Sequence, residues 1–136
     1  MKYVFVCYGH NNIQAKHYRT IEFTKDTEVS LRGDCIIGVR ATFDASELKK
    51  LSGKIRIIVE VNGLRDTFKA TINPWFDDDR EIVFRKSRYM SQRTLGCNLN
   101  KGSNRLDRRI VRIMQDPHTV MQVTIEETKK PKKGVT

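Results

Sequence analysis

Alternation of apolar and polar positions dominates this chain. Lys54 to Val61 (KIRIIVEV) puts Ile55, Ile57, Val59 and Val61 on one face and predicts a strand packed on one side. Tyr3 to Tyr8 is β-branched and aromatic almost throughout, which suits a strand buried on both faces. Gly9-His10-Asn11-Asn12 follows as turn chemistry, because Gly and Asn tolerate positive φ. A second strand is expected from Gln14 to Lys25. Ala15, His17, Arg19, Ile21 and Phe23 would share one face, and Lys16, Tyr18, Thr20, Glu22 and Thr24 the other. Cys35 to Thr42 reads as a third strand, entered through Arg32-Gly33-Asp34. Asp44-Ala45-Ser46-Glu47 predicts a capping box, with Glu47 reaching back; the short helix it opens buries Leu48 and Leu51 and stops at Gly53.

The second half repeats this order. Thr67 to Ile72, Glu81 to Lys86, Gly96 to Leu99 and Val120 to Ile125 read as strands, the first two separated by a turn rich in acids. A helix is expected from Asn104 to Gln115, halted by Asp116-Pro117, since the residue before a proline is pushed out of the helical region. Laying Ile21 to Lys25 over Ile82 to Lys86 brings Arg32 onto Arg93. With one gap, Cys35 falls on Cys97, and Leu48 and Leu51 on Ile110 and Ile113. The pattern predicts an α+β fold in which a duplicated β-β-β-α-β unit, residues 1–63 and 64–127, combines into one barrel-like domain sharing a core.

The 136 residues are enough for one domain with a core that needs no metal or disulfide. Three cysteines (Cys7, Cys35, Cys97) with no C-x-x-C pair imply free thiols in a reducing compartment. No stretch reaches the length of a membrane span, so a cytoplasmic protein is expected. Residues 128–136 are too polar to pack and are read as a disordered basic tail.

Charge changes the picture most. The net charge is +10, and it is concentrated. Arg85, Lys86, Arg88, Arg93, Lys101, Arg105, Arg108, Arg109 and Arg112 face a single acid, Asp107, between positions 85 and 112, while the tail adds Lys129, Lys130, Lys132 and Lys133. Such a block is the footprint of a polyanion partner. On the expected second helix, Leu106, Ile110, Ile113 and Met114 form one stripe, and Arg105, Arg108, Arg109 and Arg112 another that projects outward. Like charges so spaced cost tenths of a kcal/mol per pair, roughly, unless an anion neutralises them. Within the block Tyr89 is the sole aromatic, so contact with the backbone of a nucleic acid fits better than base stacking.

A second cluster of chemistry lies near the N-terminus: His10, His17, Glu22, Arg32, Asp34 and Cys35. His10 and His17 could transfer protons, Glu22 or Asp34 orient them, and Arg32 hold a phosphate. The structural alternative makes His17 a hydrogen-bonded core residue, Arg32 a partner of Asp34 across a tight turn, and Cys35 a small buried hydrophobe. His-x6-His lacks a third ligand at fixed spacing, so no metal and no cofactor is expected. Signatures of ATPases, dinucleotide enzymes, zincins and serine hydrolases are absent.

Gly9-His10-Asn11 with His17, Thr20, Glu22 and Thr24, then LRGDCIIGV from Leu31 to Val39, resembles an archaeal family of small proteins of unknown function. Phe84-Arg85-Lys86-Ser87 and Arg93-Thr94 match its second characteristic stretch. The resemblance covers nearly all the chain before the tail. It implies an archaeal cytosolic protein with a β-rich duplicated fold and keeps His10, His17, Glu22, Arg32 and Asp34 as a candidate site without assigning roles.

Three functions follow as expectations. The first is a nucleic-acid-binding protein, with RNA or a ribonucleoprotein preferred over DNA because no duplex-reading pattern appears. The second is an enzyme acting on a nucleotide or RNA through the N-terminal cluster. The third is an adaptor for an acidic protein partner.

Overall fold

The computed structural model describes residues 1–128; the lysines of the tail, Lys129, Lys130, Lys132 and Lys133, lie outside the described residues. Among these residues the chain runs β1 (Lys2–Tyr8), β2 (Thr20–Thr24), β3 (Ile36–Gly38), α1 (Ala45–Leu48), β4 (Lys54–Val61), β5 (Leu64–Ile72), β6 (Glu81–Arg85), β7 (Thr94–Cys97), α2 (Arg108–Met114) and β8 (Val120–Glu127). A 3-10 turn, Ser103–Arg105, precedes α2. All eight strands join one sheet in the order β1-β8-β4-β5-β7-β6-β2-β3, so the fold is mixed α+β and strand-rich. No helix among the described residues is long and apolar enough to cross a membrane.

The alternation of β4 is realised as expected: Ile55, Ile57, Val59 and Val61 are buried between neighbours β5 and β8. Phe5, Phe23, Phe84 and Phe68 meet edge to face at centroid distances of 5.5, 6.3 and 5.6 Å and tie β1, β2, β6 and β5 into one core. Each such burial is worth roughly 1.5–3 kcal/mol. The β4–β5 hairpin turns at Asn62 and Gly63, both at positive φ (47° and 81°), the backbone that an Asn-Gly pair supplies most cheaply.

Five expectations are corrected. The sheet is not a closed barrel: edge strands β1 and β3 meet only through the isolated bridge Tyr8–Val39. Strand β3 is three residues long, Arg40 turns the chain at φ 50°, and the Thr42 hydroxyl takes up the Val6 peptide groups instead. Strand β2 begins at Thr20, and residues 14–19 are irregular. Ala15 there sits at φ 50°, which no strand accommodates. The helix expected from Asn104 is interrupted, because Leu106 is extended (ψ 142°) and Asp107 caps a fresh start at Arg108. Asp44 does cap α1, accepting from Ser46 N at 2.9 Å, but Glu47 bonds Lys50 at 2.9 Å rather than reaching back.

Candidate nucleic-acid interface

The broken helix decides what its arginines can do. Arg108 folds back onto the irregular segment before β2. Its guanidinium donates to the carbonyls of Ala15 (2.8 Å), Gln14 (2.9 Å) and Asn104 (3.2 Å). Arg109 is held by Asp107 at 2.7 and 3.1 Å, and this contact keeps the aspartate carboxyl down at about 2. Lys101 pairs with Asp66 at 2.6 Å, and Arg93 with Glu81 at 3.1 Å. Of the nine basic residues between positions 85 and 112 expected to face a partner, these four are therefore engaged inside the fold. The uniform outward stripe on the second helix does not exist. Lys86, Arg88, Arg105 and Arg112 are exposed and make no side-chain hydrogen bond among the described residues.

Lys86 lines a hollow of about 470 Å³. One wall is His17, Tyr18, Arg19 and Thr20, leading into β2; the other is Arg85, Lys86, Ser87 and Tyr89, leaving β6. The walls are neighbours because β2 and β6 pair antiparallel with Thr20 opposite Arg85, and Lys86 N donates to Arg19 O at 2.9 Å. No acid lines it. Arg85 donates to Thr94 Oγ1 at 2.9 Å and lies 5.1 Å from the centroid of Tyr89. Arg19 lies at the same distance from the centroid of Tyr18.

The first wall is built by its contacts with the turn before α2. Ser103 Oγ accepts from His17 N at 3.0 Å and faces the carbonyls of His17 and Asp34 at 3.1 and 3.2 Å. Gly102 passes so close that a Cβ there would lie 2.3 Å from the carbonyl carbon of Tyr18, so only glycine fits. Arg108 then holds the Ala15 turn, at φ 50°, through the carbonyls of Gln14 and Ala15 in the segment that leads to this wall.

His17 is half-buried at the rim of this hollow and is not the core residue its expected strand face implied. Its Nδ1 accepts from Arg19 N at 3.1 Å, which leaves the hydrogen of the neutral ring on Nε2. His10 borders a different hollow with Glu28, Arg40 and His118. There Asn12 N donates to His10 Nδ1 at 3.0 Å, and Nε2 donates to Glu28 at 3.1 Å, so both ring nitrogens are occupied. The acid–base pair of the enzyme reading is thus divided between two hollows. Arg32 is exposed on the loop before β3, and Asp34 contributes its carbonyl, not a carboxylate contact, to the segment around His17. The Arg32–Asp34 pairing is absent among the described side-chain contacts.

Glu22 behaves unlike any exposed acid. It is 5% exposed on the face of β2 opposite Phe23, beside Glu81 and Arg93, with the Cys35 thiol donating to it at 3.5 Å. Burial first, and the Glu81 carboxylate second, push its carboxyl up to about 8. The same burial, joined by Glu22, pushes the Cys35 thiol up to about 12, where it is no nucleophile at neutral pH. Among the described residues no three His, Cys, Asp or Glu side chains gather as metal ligands.

Residue-type reasoning missed Tyr18 and Arg19, which were placed on opposite faces of a strand that does not extend to them. Glu81 was missed as well. The signal available for it was its place at the head of a strand laid over β2, opposite Thr24 in the observed register.

Comparison with known proteins places this geometry in a family. The chain is 33% identical over 125 residues to "Uncharacterized protein MJ0206" of Methanocaldococcus jannaschii, an alignment covering 85% of this chain and 93% of the relative. Residues 5–128, which include both walls of the hollow and the Glu22 cluster, match the family model described as "Domain of unknown function (DUF371)", and the chain belongs to that family.

Proposed function

We propose that the protein binds nucleic acid, RNA in preference to DNA, through the basic surface centred on the hollow between residues 17–20 and 85–89. The observation that carries this reading is an acid-free concavity lined by Arg19, Arg85 and Lys86, with Arg88 next along the chain. Arginine's planar fork suits phosphate oxygens, and backbone contacts of this kind position a strand without reading its sequence. RNA is preferred because the two α-helices among the described residues span four and seven residues, and neither is long enough to serve as a recognition helix in a major groove. The lysine tail adds charge to the same partner. An internal duplication belongs to this reading. Its support is that β2–β3 and β6–β7 are both parallel pairs with a register shift, related across the antiparallel β2–β6 pair.

The test is the salt dependence of binding to a labelled RNA, followed by anisotropy. Contact with about five phosphates gives a log–log slope of roughly −3 to −4 on a single strand. Replacing Arg19, Lys86 and Arg88 together with Gln should flatten the slope by about 2 while leaving the melting temperature in place. Absence of RNA binding at low salt overturns the proposal, and binding of an acidic protein in its stead points to the adaptor reading.

A further inference from the structure

Phosphate binding needs cations, not rings, yet the hollow presents two exposed tyrosines. Tyr18 is 57% and Tyr89 63% exposed, one on each wall. Neither ring is loose. Arg19 lies over Tyr18 and the His17 ring runs within 10° of parallel to it, while Arg85 lies over Tyr89 and is itself tied to Thr94. Thr94 Oγ1 in turn meets Ser91 Oγ at 2.9 Å, so the Tyr89 platform is anchored to the start of β7. A ring held by a cation and still largely exposed, as Tyr89 is, makes a platform for a flat, electron-rich partner. Nucleobases are such partners, and base–aromatic stacking tolerates any sequence because every base has a π-face. A duplex hides those faces within its own stack. A hollow of about 470 Å³ is within the range of pockets that hold one small molecule, and too small to seat a double helix.

We propose that this hollow is a subsite for one unpaired nucleotide of a single-stranded RNA. The base lies on the open face of Tyr89 and against the Tyr18 edge of the site. The adjoining phosphate is held by Arg19 and Lys86, and His17 Nε2–H stands as a further donor. The proposal rests on the nucleic-acid reading above and adds to it the state of the strand. It also replaces the sequence-based expectation of backbone contact alone, which counted Tyr89 but not the Tyr18 that folding places near it.

The experiment compares binding of the full chain to a fluorescein-labelled oligouridylate, free and annealed to its complement, over one series of salt concentrations. The single strand should bind at least about ten-fold more tightly than the duplex. Tyr18→Ala and Tyr89→Ala should each weaken single-strand binding about ten-fold, from the known range for stacking, and leave duplex binding, the salt slope and the melting temperature unchanged. Tyr89→Phe should restore the affinity, since the ring and not the hydroxyl stacks. By contrast Lys86→Gln should reduce the salt slope by about 0.7. Equal binding of duplex and single strand, or alanine variants without loss, overturns the stacking subsite and leaves the charged surface standing. Failure of both RNAs to bind overturns the two together. Equal affinity for oligothymidylate DNA removes the preference for RNA at this subsite, while weaker DNA binding supports it.

Discussion

Arg108 and Arg109 at the start of α2 and the cations at the hollow carry the same charge but differ in what satisfies it. Arg108 is closed onto four backbone carbonyls and Arg109 onto Asp107, so their charge is satisfied by the protein. Arg19, Lys86 and Arg88 have no carboxylate within ion-pair distance among the described residues, and Arg85 is engaged only with a hydroxyl and a ring. The lesson is that charge density along a chain locates a basic region without saying which members are free. Chain ends and helix breaks expose carbonyls, and guanidinium groups close enough to reach them become structural.

Glu22 lies at the extreme of charge held by the fold, and the largest effect is expected there. Its folded carboxyl is raised above the unfolded value of 4.5 to about 8, so the native state binds the extra proton. That contribution is fully present below about pH 4.5 and is lost as pH rises to about 8. Urea midpoints should show on the order of 3 kcal/mol less stability from this group at pH 8.5 than at pH 4.5. Glu22→Gln, which cannot ionise, should flatten that dependence. A parent protein equally stable at both pH values would remove Glu22 from the charges that the fold constrains.

The next effect in size concerns Arg108. Replacing it with Gln should cost about 2 kcal/mol, because carbonyls around the strained Ala15 turn lose a charged donor. RNA affinity should fall as well, through displacement of the wall carrying Tyr18 and Arg19. Thermal melting beside anisotropy separates this from a pure binding loss: an unchanged melting temperature would return Arg108 to the free set.

The smallest effect sharpens the contrast from the other side. Arg105→Gln with Arg112→Gln should change stability by less than about 0.5 kcal/mol, as for exposed residues without partners. Any fall in RNA affinity should be the same for every sequence tested. A large loss of stability from this pair would erase the distinction between the two sets of cations.

Legibility in the sequence followed the range of the interactions. Strand β4, the cap at Asp44 and the burial of Ile21, Phe23, Ile82 and Phe84 rest on local periodicity and could be read directly. The Asn62-Gly63 hairpin was equally available, since the pair is a strong turn signal, and only the start of β5 at Leu64 shows that it was underused. The candidate site was half legible. Arg85 and Lys86 were picked out by charge, and His17 by type. Tyr18 and Arg19 were not, because their segment leaves the strand under the pull of Ser103 and Arg108, 86 and 94 residues distant at the contacts with His17 and Gln14.

The amino-acid sequence by itself determined the strand-rich α+β character, the apolar faces and the polycationic charge block, because each arises from neighbours within a few residues and from composition. Tertiary structure alone decided which cations remain free, that His10 and His17 line separate hollows, and that Glu22 is buried beside Glu81. Those outcomes depend on which distant carbonyl, carboxylate or ring reaches a given side chain first. That competition is settled by strand pairing and loop path, since hydrogen bonds and desolvation act over a few ångströms in space and are indifferent to separation along the chain.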